Sequence, residues 1–253
     1  MENTTVNIQT LLHWCHQTLQ PELFNDYAPN GLQVEGKQQV HKIMAAVTAS
    51  AAAVEAAIAN KADVLLVHHG YFWKNEPVTI TGWKKRRIEK LLAHGINLVT
   101  YHLPLDAHPE LGNNAQLAKM MNWQVTVPNT PKNFLTQGNL PQPQTLAQLG
   151  QTLADKLGRT PLLMGNPEQT INTLGWCSGG GQGLFNDAVD AGVDCFISGE
   201  VSEAQYHLVN ETGVSFISAG HHCTEKPGIQ ALAAELSETF NLPWQFFDEP
   251  NPV

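Results

Sequence analysis

Two stretches of this chain repeat one plan, and that repetition limits the fold more than any other feature of the sequence. Ile43-Met-Ala-Ala-Val-Thr-Ala-Ser, a helix-forming stretch and Lys61-Ala-Asp-Val-Leu-Leu-Val-His-His make the first copy. Thr173-Leu-Gly-Trp-Cys-Ser-Gly-Gly-Gly, a helical stretch and Gly192-Val-Asp-Cys-Phe-Ile-Ser-Gly-Glu make the second. Each continues through one more helix to a terminal strand. These are Asn97-Leu-Val-Thr-Tyr-His-Leu-Pro-Leu-Asp and Ser215-Phe-Ile-Ser-Ala-Gly-His-His-Cys-Thr-Glu. A repeat of about 120–130 residues is too long for a solenoid. Short apolar runs that alternate with helix-period stretches argue for an α/β fold with a largely buried sheet. The expected architecture is therefore two related α/β lobes facing each other across a cleft.

Periodicity predicts helices over 6–19, 51–60, 83–94, 146–157, 184–191, 201–210 and 229–240. Apolar runs predict strands over 43–47, 64–67, 96–100, 173–177, 195–198 and 214–218. Ser50 is a good N-cap for the alanine-rich helix that follows it. The stretch 125–145 is rich in Pro, Asn and Gln and reads as an irregular connection. The expected lobes are 1–124 and 146–253.

Composition removes several classes of function. The N-terminus lacks the basic and apolar regions of a signal peptide, and the longest weakly polar run, Met44 to Ala59, is too short to span a bilayer. A membrane role is not expected. Cys15, Cys177, Cys195 and Cys223 are scattered, which favours free thiols in a reducing compartment and hence a cytoplasmic protein. A net charge of −9 repels a phosphate backbone, so nucleic acid is not an expected partner. The one dense basic cluster, Lys84-Lys85-Arg86-Arg87, reads as a solvated helix face. Eleven histidines stand against fourteen lysines and arginines, so the placing of the histidines decides the chemistry.

His68 and His69 end an apolar strand. Neighbouring strand residues point to opposite sides, so the two share a site only if the backbone turns there, and Gly70 allows a turn. His102 and Asp106 are four apart, as are His221 and Glu225, and both pairs follow predicted strands. In α/β sheets ligands sit beyond the carboxyl ends of strands. Imidazole nitrogen with carboxylate oxygen is the donor set for divalent Zn, Fe, Mn or Co. His68, His69, Asp106, His221 and Glu225 are therefore candidate metal ligands. His102 is a further ligand or a group that orients Asp106. His108 and His222 are candidates for outer supporting roles; the remaining histidines are expected to be structural. Ser178-Gly-Gly-Gly-Gln-Gly183 lies between a strand and a helix. Its amides at Gly179, Gly180 and Gly181 could seat a phosphate, although a tight turn alone also explains it.

The segments Asp26-Tyr-Ala-Pro-Asn-Gly-Leu-Gln-Val-Glu-Gly36, Val67-His-His-Gly-Tyr-Phe-Trp73, His102-Leu-Pro-Leu-Asp-Ala-His108, Gly199-Glu-Val-Ser202 and Ala219-Gly-His-His-Cys-Thr-Glu225 together resemble a known family. It is the dinuclear-metal family of GTP cyclohydrolase I type 2 homologues, also named after an NGG-interacting factor. The resemblance covers nearly the whole chain and is greatest to the short enterobacterial-type members. It implies two α/β lobes with two divalent metal ions between them, held by His68, His69, Asp106, His221 and Glu225. It also implies a toroidal homohexamer with its sites facing an internal cavity. Longer members insert a domain between the lobes, for which the stretch 125–170 is too short, so functions tied to that insert do not carry over. The implied activity is opening of the guanine imidazole ring of GTP with release of formate. In that reading His102, where it is not a ligand, shuttles a proton, and the substrate is a nucleotide or another small molecule. The rival reading is a non-enzymatic protein that binds or delivers metal, or a regulator.

Overall fold

The structure is a computed structural model and describes residues 5–253. In chain order it begins with β1 (Val6–Asn7), α1 (Ile8–Leu19), β2 (Gly31–Val34), β3 (Gln39–Val40), β4 (Ile43–Thr48), α2 (Ala51–Ala59), β5 (Val64–His69), α3 (Gly82–His94) and β6 (Asn97–Thr100). There follow α4 (Leu103–Ala107), α5 (Asn113–Met121), β7 (Gln124–Val127), β8 (Thr136–Thr145), α6 (Leu146–Leu157), β9 (Leu162–Met164) and β10 (Thr170–Cys177). The chain ends with α7 (Phe185–Asp190), β11 (Cys195–Ser198), α8 (Glu203–Thr212), β12 (Ser215–Ser218), α9 (His221–Phe240) and β13 (Trp244–Phe246). The fold is α/β. No helix of the described residues is long and apolar enough to cross a membrane.

By its contacts the chain forms two compact units. One holds the residues up to Leu105 together with Ile229–Pro250; the other holds Asp106–Gly228 with Asn251–Val253. The sequence suggests one connector over 125–145, but the chain passes between units at 105/106, 228/229 and 250/251. The later two crossings come from β13, which returns to pair in parallel with β4.

The sheet of the first unit has the order β13-β4-β5-β6-β2. Its centre, β4-β5-β6, is parallel, and every residue from Ile43 to Val47, Val64 to His68 and Asn97 to Thr100 is buried. Burial on both faces is why these strands read as continuous apolar runs. Ser50 caps α2 by accepting the Ala53 N–H at 3.0 Å. The core includes Leu65, Val67, Leu91 and Leu98.

The sheet of the second unit has the order β7-β8-β10-β11-β12-β9, with β10-β11-β12 again parallel. Two buried clusters serve it, one around Trp176, Leu149 and Ile217 and one around Phe185, Phe196 and Phe216. A Thr145–Gln148 capping box starts α6.

Two local expectations are corrected. The stretch 125–145 holds the antiparallel strands β7 and β8 instead of an irregular connection. Thr136, Gly138 and Leu140 alternate inward, a period-two signal that the Pro- and Gln-rich composition hides. Pro141 and Pro143 fall where the β8–β10 register shifts, between Asn139 and Gln144, so no regular ladder bond is lost to them. The last helix begins at His221, not 229, and continues through Pro227.

Leu65 is fully buried in the first core. Leu65→Ala should cost about 2–5 kcal/mol, read as a lower urea midpoint of unfolding followed by circular dichroism.

Candidate functional site

In the first unit the histidines gather at the carboxyl ends of β5 and β6. His68 is fully buried, and its Nδ1 lies 2.9 Å from the Tyr101 carbonyl, which can only accept. Nδ1 therefore carries the proton, and Nε2 is the nitrogen with a lone pair for a cation. His69 Nδ1 is 3.2 Å from Thr48 Oγ1. His102 Nδ1 is 2.7 Å from Asp26 Oδ1. Each of the three rings thus has one nitrogen tethered, the arrangement that fixes tautomer and orientation in histidine metal ligands. The ring centroids are 4.6 Å apart for His68–His69, 5.1 Å for His68–His102 and 5.6 Å for His69–His102. One potential ligand atom from each of the three lies within 4.8 Å of the others. Trp73 closes one side, its ring edge-on to His102 at 4.9 Å.

The turn that brings His68 and His69 together is not made by freedom at Gly70. Glycine is needed there for space, because a Cβ would lie 2.3 Å from both Gln33 Oε1 and Thr100 Oγ1. The left-handed residue is Phe72, with φ 65°, a costly conformation for a bulky side chain. Trp73 Nε1 donates to the Gly70 carbonyl at 3.2 Å and pins this turn.

Asp26 is the residue that sequence reasoning missed, although it opens a motif quoted above. Its carboxylate accepts from His102 Nδ1, the Tyr27 and Leu103 amides and Asn30 Nδ2, at 2.6–3.0 Å. Burial alone would raise its pKa, but these donors and the His102 charge hold it down at about 2. It is a fixed negative charge behind His102.

In the second unit, Asp106 is buried and accepts from Asn113 Nδ2 at 2.7 Å and from Ser178 Oγ at 3.4 Å. Asn113 Oδ1 in turn accepts the Gly228 N–H, and Asn114 Oδ1 the Ser178 N–H. This asparagine pair carries no sequence signal of its own. His221 and Glu225 sit one turn apart on α9, with Nε2 and Oε2 3.2 Å from each other. Glu200 orients the ring from the other side, 2.6 Å from Nδ1. Burial of His221 lowers its pKa, but Glu225 and Glu200 together outweigh that and raise it to about 9.

The glycine-rich turn meets this pair closely. A Cβ on Gly179 would lie 2.0 Å from Glu225 Oε1 and 3.0 Å from His221 Nε2, and its φ is 60°. The Gly179 N–H donates to Thr224 Oγ1 at 2.9 Å. Space and backbone angle therefore account for Gly179, whose amide already has an acceptor. Gly180 and Gly181 lead into a 3-10 turn over Gly181–Leu184.

The imidazole and carboxylate clusters of both units fit a divalent metal by donor type. The thiols do not join them. All four cysteines are free and buried, and burial pushes the Cys177 thiol up, helped by the charges of Asp106 and Glu225. His108 accepts the Glu110 and Leu111 amides and serves a turn. His16, His41, His94 and His207 bond to Tyr101, Asp63, the Lys90 carbonyl and Glu203.

A family model described as Duf34/NIF3 (NGG1p interacting factor 3) matches residues 6–252. A Neisseria meningitidis protein named GTP cyclohydrolase 1 type 2 homolog is 56% identical over 242 residues, 96% of this chain and 97% of that one. A solved protein described as ybgI, of unknown function, is 46% identical with a TM-score of 0.94, covering 98% of this chain and 100% of its own. A crystal structure of a Thermus thermophilus protein is 37% identical with a TM-score of 0.89, at the same coverage.

Asp26→Asn removes the charge behind His102 but keeps the shape, and should weaken metal binding about 10–100-fold, read by competition with a chelating dye. In metal-free protein the raised pKa of His221 stabilises the fold. That contribution is fully present below about 6.5 and is lost as pH rises through about 9. Glu200→Gln should therefore lower the unfolding midpoint most at pH 6, with the gap from wild type closing toward about pH 10.

Proposed function

The chain belongs to the Duf34/NIF3 (NGG1p interacting factor 3) family, and from that premise we propose that it is a metal-dependent hydrolase acting on a purine nucleotide. The reaction is opening of the imidazole ring with release of formate, the activity that the name shared by its relatives suggests. The observation that carries the reading is the set of three imidazoles, His68, His69 and His102, each with Nδ1 tethered and all three within ligand reach of one another. Asp106, His221 and Glu225 supply the carboxylates and the further imidazole of a two-ion ligand set. Bound divalent ions supply Lewis acidity and lower the pKa of a coordinated water.

The protein's own groups do the remaining work. Asp26 holds the His102 ring and keeps its Nδ1 protonated. Glu200 holds His221 in the same way, from the Nδ1 side of the ring. Trp73 shields His102 and His69 on one side. The proposal includes two ions per chain, from Zn, Fe, Mn or Co, in a cytoplasmic homohexamer.

The test is mass-spectrometric turnover of a nucleotide panel, including GTP, by metal-reconstituted protein against a chelated control. Metal-dependent formate and a ring-opened product are expected, with both lost in His68→Ala together with at least one ion. Intact nucleotides in the presence of two verified ions per chain would sink the hydrolase reading and leave a metal-handling protein. Retention of both ions by His68→Ala would count against the ligand set.

A further inference from the structure

Between α2 and α3 of the first unit lies a cavity of about 270 Å³, lined by Ala51, Val54, Trp83, Arg86, Arg87 and Lys90. It shares no residue with the candidate metal ligands. Half of its lining side chains are cations and none is acidic. That concentration is unusual in a chain of net charge −9: Lys84, Lys85, Arg86, Arg87 and Lys90 are five of its fourteen lysines and arginines, and all lie on α3. A solvated helix face explains Lys85, which pairs with Glu89 at 3.5 Å, and not the residues that turn into the cavity.

The neighbouring charges sort the cations. Lys84 is buried against Glu76 at 3.1 Å and the Pro77 carbonyl, and Lys90 is paired with Glu55. Arg87 is held in place, its guanidinium 4.7 Å over the Trp83 ring and its Nη1 3.4 Å from the Ala49 carbonyl. Arg86 makes no hydrogen bond or ion pair among the described residues. A guanidinium fixed beforehand by an aromatic ring loses little freedom when it binds an anion, and its planar fork suits phosphate oxygens. Beside it stand a second guanidinium, without a partner among the described residues, and a lysine that can exchange its carboxylate. The volume falls just below the range of about 300–1,000 Å³ that buries a drug-sized ligand. It suits a phosphoryl group with whatever the group is attached to left outside.

We infer that this cavity binds the phosphoryl group of a small molecule, either a nucleotide or an inorganic polyphosphate. The inference does not depend on the hydrolase reading. The experiment is calorimetric titration of the full-length, metal-loaded protein with pyrophosphate, GTP and guanosine, for wild type and for Arg86→Ala/Lys90→Ala. Both side chains are exposed, so the double variant should fold, with its metal content and any formate release unchanged. Pyrophosphate and GTP should bind, guanosine should not, and the double variant should lose at least about tenfold in affinity, equivalent to about 1.4 kcal/mol. GTP bound more tightly than pyrophosphate, with the same loss in the variant, assigns a nucleotide; GTP bound no more tightly assigns the inorganic anion. Absence of pyrophosphate binding up to about 1 mM, or equal binding by the double variant, overturns the inference.

Discussion

In both units three parallel strands are hydrogen-bonded side by side and buried on both faces, and this constraint decides where polar chemistry can go. A polar group inside such a ladder costs free energy unless it is hydrogen-bonded, so histidines and carboxylates collect where the strands stop. His68 shows the limit of the rule, being fully buried while still in β5. It is tolerated because the Tyr101 carbonyl, at the end of the neighbouring strand, takes its Nδ1 proton. His221 and Glu225 come one step later, on the first turns of the helix that follows β12.

Much of this was legible beforehand. The apolar runs located β4, β5, β6, β10, β11 and β12, though not β13, and the histidines and acids that follow them located the candidate ligands. Two kinds of information were not legible. One is the partner that holds each ring: Asp26 lies far along the chain from His102, and nothing local to Asp26 announces a bond with it. Glu200, Asn113 and Asn114 are alike in this, since their roles arise from tertiary contacts. The other is strand character in 136–145, where inward alternation was masked by prolines that a bulge accommodates.

Glycine was a good marker at the site but for a different reason than expected. At Gly70 and Gly179 the missing Cβ leaves room for Gln33 and Thr100 in one case and for Glu225 and His221 in the other. The conformational strain near the histidines is borne by Phe72 instead. A sequence reading that equates glycine with flexibility finds the right places and assigns the wrong cause.

The return of β13 to the first sheet bears on how the chain is made. On the ribosome, β4, β5 and β6 emerge and can pair long before Trp244–Phe246 is synthesised. Until then β4 is an outer strand, apolar from Ile43 to Val47, with one row of backbone groups open to any neighbouring chain. The nascent protein thus passes through a stage in which its first sheet is complete on one side only. Synthesis of Trp244–Phe246, rather than completion of the first half, is the step that closes that edge.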